Sequence, residues 1–166
     1  LIEDSSFLDG LDFVLIDTGA GIGEYTQTFL KNSDDSIVLT IPDPAAITDA
    51  YATIKLTSTF KDKIFMVINM AKNQEEAEMI FKKIQKIAQS NIGNISLDYL
   101  GKLTKNPLIN HYSKNRGIFV KEEPNCSASM EIEKIARTLA AKMEQNVLVQ
   151  EDKRFGKFLK RILGHF

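Results

Sequence analysis

At 166 residues the chain is long enough for one domain with a real core, and its 43% hydrophobic and 26% charged residues are those of a soluble globular protein. A net charge of −1 gives no general attraction to nucleic acid, and no direct nucleic-acid binding is expected. The single cysteine, Cys126, excludes an internal disulfide and suits a reducing cytosol, and no apolar run approaches the roughly 20 residues of a membrane helix.

Strands and helices alternate along the chain. Leu11 to Asp17 is a near-continuous apolar run, the pattern of a parallel strand covered on both faces. It ends in an aspartate and runs into Thr18-Gly19-Ala20-Gly21. Such a turn sets a carboxylate at the carboxyl edge of a sheet, where open α/β sheets bind ligands, and its glycines let a phosphate or an attacking water approach the backbone. A strand-end aspartate capping the next helix explains the same residues equally well.

Ser36 to Ile41 is a second apolar strand, stopped by Pro42 and Pro44, and Ile64 to Asn69 is a third. Between them Ile47 to Phe60 has helical spacing, with Thr48 or Asp49 as the cap. Asn73 opens a longer helix with Glu75, Glu76 and Glu78 in its first turns and Ala77, Ile80, Phe81, Ile84, Ile87 and Ala88 on its apolar face. Lys82, Lys83 and Lys86 form its solvated side. Ile95 to Leu103 is a fourth strand candidate. Asn106-Pro107 starts a short helix carrying His111 and Tyr112, which have no metal-ligand partners at useful spacing. Ser127 is expected to cap a helix with the stripe Ile132, Ile135, Ala136, Leu139 and Met143. The pattern predicts an α/β fold, a mostly parallel sheet flanked by helices, over residues 1–145.

Residues 146–152 read as a tether to a C-terminal amphipathic helix over 153–166. Phe155, Phe158, Leu159, Ile162, Leu163 and Phe166 recur at helical spacing, with Lys157, Lys160 and Arg161 among the flanking bases. A helix of that kind lies in the interface of an anionic membrane. A last helix folded back on the domain, basic face outward, is the other reading of the same residues.

The segments Ile16-Asp17-Thr18-Gly19-Ala20-Gly21-Ile22, Thr40-Ile41-Pro42-Asp43-Pro44-Ala45-Ala46-Ile47-Thr48-Asp49-Ala50-Tyr51 and Val67-Ile68-Asn69-Met70, in that order, resemble the MinD/ParA-type deviant P-loop ATPases. The branch they are most similar to regulates flagellar number (FlhG, also called FleN or YlxH). The resemblance implies ATP and Mg²⁺ as cofactors. Asp17 would be the Walker-B-type carboxylate in the metal shell, reaching Mg²⁺ through a water, and Thr18, Gly19 and Gly21 would be the switch. Asn69 would read adenine, although by position alone it is a strand-end turn residue. Asp49 would lie in a loop on the dimer face.

The resemblance further implies an ATP-dependent homodimer, a protein partner, and a cytoplasmic protein peripheral at the inner face of the cell membrane. Division-site placement, as in MinD, is the alternative within the family. A non-catalytic α/β docking module is the alternative outside it. No phosphate-binding loop occurs in the chain: Gly101-Lys102-Leu103-Thr104 lacks both the adjacent hydroxyl and the earlier glycine. The loop is expected upstream of Leu1, in a longer protein, and this chain alone is expected not to hydrolyse ATP. Family members carry a Pro-Glu-Asp-like turn where Lys102-Leu103-Thr104-Lys105-Asn106 follows Gly101 here, which leaves base recognition from that side open.

Overall fold

The computed structural model describes residues 11–19 and 21–147, with side chains as far as Met143. Three parallel strands, β1 (Ile37–Thr40), β2 (Lys63–Ala71) and β3 (Ser96–Thr104), form one sheet in the order β1-β2-β3. Helices α2 (Pro44–Thr57) and α3 (Gln74–Ile92) make the two crossovers and cover the same face. Consecutive right-handed crossovers moving in one direction across a sheet require that. Helix α1 (Glu24–Asn32) precedes β1, and α4 (Pro107–Lys114) and α5 (Phe119–Glu122) lead from β3 to α6 (Ser127–Val147), which returns over the opposite face.

β2 alternates between two cores. Ile64, Met66 and Ile68 point toward α2 and α3, where they meet Ile54, Ala77, Ile80, Phe81 and Ile84. Phe65 and Val67 point the other way, and with Leu100 they pack against Ile135 and Leu139 of α6. Gly101 has φ +150°, and a Cβ there would stand 2.8 Å from Ile135 Cγ1. The absence of a side chain at that position lets α6 approach the sheet. The far end of α6 is held by charge: Lys142 Nζ donates to Asp98 Oδ2 at 2.9 Å, and Lys63 Nζ lies 3.5 Å from the same oxygen. Burial raises the pKa of Asp98, but the hydrogen bond and charge of Lys142, with Lys63 behind it, outweigh burial and keep the carboxyl below its ordinary value.

The other end of the sheet is open. β1 is an edge strand whose Val38 and Thr40 are buried under the crossover helices, whereas Ile37 and Leu39, on the face served by α6, are 43% and 58% exposed. The apolar run Leu11–Asp17, expected to be a strand, is not one. It joins no sheet, and Leu11, Phe13, Val14, Leu15 and Ile16 are all exposed. A parallel strand exists only through a ladder with its neighbours, so the right residue pattern without a partner leaves an extended, unpaired segment.

Local capping also differs from expectation. α2 starts at Pro44 instead of Ile47, because Asp43 Oδ1 accepts from Ala46 N (3.0 Å) and proline suits the first helical position. Asn73 caps α3 as expected (Glu76 N, 2.9 Å), but Ile87 is 37% exposed. α6 begins at Ser127 itself, and the Cys126 thiol takes the Ser129 N–H (3.4 Å). Ala136 faces solvent, off the buried stripe of Ile135 and Leu139. Helix α1 carries no fully buried residue, and Lys61 ties its end down by donating to the carbonyls of Ser33 and Asp34.

Replacing Gly101 by alanine is expected to lower stability by about 1–3 kcal/mol, because the new methyl meets Ile135 in a backbone conformation that L-residues avoid. Urea unfolding should show a lower midpoint at unchanged m-value.

Candidate functional site at the carboxyl edge of the sheet

All three strands end at one edge, and three helices start there. Each start is fixed by a short polar side chain. Asp43 caps α2 and Asn73 caps α3, and Asn106 Oδ1 accepts from Leu108 N at 2.9 Å at the start of α4. Thr40, buried, donates to Ala46 O at 3.0 Å and closes the β1–α2 turn. The amino ends of α2, α3 and α4 therefore aim their dipoles at this edge, the setting in which phosphate groups bind, with Asp43, Glu75 and Glu76 offsetting part of that charge.

Asn69 stands on this edge near the end of β2. Its Oδ1 accepts from Met70 N at 2.8 Å, and its Nδ2 has no partner among the described residues. The amide thus keeps two donor hydrogens and one carbonyl lone pair, a combination that can read a base edge. Met70 has φ +56° and β2 is irregular here: Ile68 pairs with Lys102 and Ala71 with Thr104, so Asn69 and Met70 together oppose Leu103. This is a β-bulge, and it is where the regular ladder gives way to the loop into α3.

Beyond β3, Lys105 N donates to Ala71 O (3.2 Å), which brings the 104–106 loop alongside the end of β2. Two side chains of this loop, Thr104 and Asn106, are already engaged, and Lys105 is exposed. Asn106 Nδ2 reaches Ser127 Oγ (3.3 Å), and Thr104 donates to Glu131 through both its backbone N–H and its hydroxyl, each at 2.7 Å. Lys102 completes the cluster with a charged hydrogen bond to Glu131. The phosphate-loop-like lettering of residues 101–104 is therefore a clasp between β3 and α6. Burial raises the pKa of Glu131, yet the hydrogen bonds from Lys102 and Thr104 prevail and hold it below its ordinary value.

The remaining expected site residues are not gathered here. Asp17 is exposed, on the unpaired segment, and makes no hydrogen bond or ion pair among the described residues. Thr18 is half-buried and Gly19 exposed, while Gly21 has φ +102° with open space around it, a conformation that favours glycine. Asp49 is exposed, but within α2 and not in a loop, because the Asp43-Pro44 start places helix over the whole stretch. His111 packs edge-on against Tyr112 at 5.6 Å, and no group of three or more His, Cys, Asp or Glu able to hold a metal occurs among the described residues. A lone carboxylate such as Asp17 fits the way Mg²⁺ is ordinarily held, by one or two carboxylates with substrate phosphates and waters completing the shell. Among the described residues no helix is long and apolar enough to cross a membrane. The tail residues Phe155, Phe158, Leu159, Ile162, Leu163, Phe166, Lys157, Lys160 and Arg161 lie outside the described residues.

Sequence reasoning missed the Lys102–Thr104–Glu131 clasp and the Met70 bulge, since neither has a local signature. It also missed the Asp43 cap, for which the Asp-Pro pair was a sufficient signal.

Glu131→Gln is expected to destabilise the chain by about 1–3 kcal/mol. The sign of the pH dependence follows from a folded pKa below the unfolded one. The contribution is fully present above the ordinary value of 4.5 and is lost as pH falls through the folded pKa. Denaturation followed from pH 7 downward should show a shallower acid limb in the variant.

Comparison with known proteins agrees with this architecture. A family model described as "ParA: NUBPL iron-transfer P-loop NTPase" matches residues 1–140. The flagellum site-determining protein YlxH of Helicobacter pylori is 39% identical over 164 residues, covering 99% of this chain and 56% of that protein. The antiactivator FleN of Pseudomonas aeruginosa is 26% identical over 80% of the chain and 48% of its own length, and the septum site-determining protein MinD of Bacillus subtilis is 24% identical over 92% and 56%. The chain spans about half the length of these curated relatives. The family model matched over residues 1–140, together with a parallel sheet joined by crossover helices, places the chain in the ParA-type P-loop NTPase family.

Proposed function

We propose that this chain is the carboxyl-terminal part of an ATP-dependent, membrane-associating spatial regulator that acts on the number or placement of flagella. The observation that carries the reading is the 39% identity to a flagellum site-determining protein along 99% of the chain, within a P-loop NTPase family. The likeness to FleN points to the same branch, and the weaker likeness to a septum site-determining protein keeps division-site placement as the second reading.

In this proposal the base half of a nucleotide site is the carboxyl edge of β2 and β3, where Asn69 offers its free amide donors. The phosphate half comes from preceding sequence, which supplies a P-loop strand to the free edge of β1 and covers Ile37 and Leu39. Pairing on that side converts residues 11–17 into a strand and carries Asp17 to the carboxyl edge. There its carboxylate would hold Mg²⁺ through a water, and Thr18, Gly19 and Gly21 would form the switch that senses the γ-phosphate. When bound, the metal would supply positive charge to offset that of the phosphate groups. Positioning of this kind dominates phosphoryl transfer, so this chain alone, with Asp17 exposed and no phosphate loop, does not hydrolyse ATP. ATP-driven pairing of two copies, with Asp49 on the exposed side of α2 facing the partner, would couple nucleotide to membrane residence. One amphipathic tail binds an anionic surface weakly and reversibly. Two tails on a dimer bind as a bivalent ligand, with a gain of roughly two or more powers of ten.

In the intact protein, Asp17→Ala should lower ATP hydrolysis by about two to three powers of ten while leaving ATP affinity within a few-fold. A steady-state assay beside equilibrium ATP binding checks both. Co-sedimentation with anionic and neutral liposomes, for the intact protein and for one truncated after Asp152, tests the membrane half. ATP-stimulated binding to anionic vesicles should disappear on truncation, and undiminished binding by the truncated form would overturn the tail's role.

A further inference from the structure

The identity of residue 70 is not explained by the fold. Met70 occupies the left-handed region at φ +56°, which is disfavoured for a side chain with a Cβ and which Gly, Asn or Asp adopt far more readily. A bulge needs that backbone shape but not a methionine. Nor does packing account for it, because Met70 is 46% exposed while its neighbours Ile68 and Ala71 are fully buried. A long apolar side chain is thus kept, at a steric cost, in a conformation where it adds little to the core. Strain of that kind persists where the site uses it.

Its surroundings suggest the use. Met70 adjoins Asn69, and its own N–H holds the Asn69 amide in one orientation through the 2.8 Å bond to Oδ1. The Thr104 and Asn106 side chains, which could otherwise meet a base, are tied to α4 and α6. A flat purine bound at the Asn69 amide needs a face as well as an edge, and a thioether is a polarizable, adaptable surface for an aromatic ring.

Resting on the nucleotide-binding reading above, we propose that Met70 is a base-contacting residue: its half-exposed thioether forms the apolar wall against the purine ring, and its left-handed backbone fixes the Asn69 amide that reads the ring edge. The bulge then explains both halves of base recognition, since a regular strand would bury residue 70 or turn it away.

The test is made on the intact protein with ATP and, separately, with inorganic triphosphate, which has no base. Met70→Gly relieves the backbone strain and keeps the N–H to Asn69, and Met70→Asn also tolerates the left-handed region. Both variants should melt at or above the wild-type temperature and bind inorganic triphosphate unchanged. Both should bind ATP roughly two- to tenfold more weakly, the range of a sulfur–aromatic contact. Met70→Leu, which keeps the apolar bulk, should retain most of the affinity. Unchanged ATP affinity in the Gly and Asn variants would overturn the proposal, as would a parallel loss for ATP and triphosphate, which marks a structural effect. If the wild-type protein bound ATP no better than triphosphate, the adenine-site reading itself would fall, and this inference with it.

Discussion

β2 is hydrogen-bonded on both edges and packed on both faces, and the other two strands, the crossover helices and α6 take their positions from it. Its even-numbered residues from Ile64 to Ile68 anchor the crossover helices, and Phe65 and Val67 anchor α6. The pairings with β1 and β3 then bring all three strand ends to one edge. The bulge at Asn69 and Met70 is the point where β2 stops serving the core and turns to that edge. Scaffold and candidate site are thus successive parts of one strand.

The same dependence on pairing explains what is unbuilt. Among the described residues β1 has one neighbour, and Ile37 and Leu39 on its other face are exposed. Leu11–Asp17 has the composition of a buried parallel strand but is exposed and joins no strand among the described residues. These two apolar surfaces, an open strand edge and an unpaired strand-like segment, are the kind that proteins otherwise blunt or cover. In the proposed account, preceding sequence satisfies both at once. In that account the step that completes the sheet also delivers Asp17 to the carboxyl edge, which would make folding of this half and assembly of its site one event.

Legibility in the sequence followed the range of the interaction involved. The strands of the sheet and the long helices were readable, because Ile64–Ile68 and Ala77–Ala88 carry their burial pattern locally. Asn73 was readable as a cap for the same reason, and Asp43 should have been. The strand at Leu11–Asp17 was overread, since its pattern states what it would bury against and not whether a partner is present. The clasp of Lys102 and Thr104 on Glu131 joins residues far apart in sequence, and the left-handed Met70 arises from a mismatch between two strands; neither can be seen in one segment alone. Of the candidate site, the family resemblance singled out Asn69 and Asp17 as candidates, while only the fold distinguishes the one already on the carboxyl edge from the one that is not.

The most direct test of this account is amide hydrogen exchange over Phe13 to Asp17, measured in this chain alone and in the intact protein with its preceding sequence. The account predicts fast exchange in the isolated chain and protection of at least about a hundredfold in the intact protein, as the segment joins a ladder. Equally fast exchange in both would contradict it, because the carboxylate assigned to Mg²⁺ would then have no strand to carry it to the site.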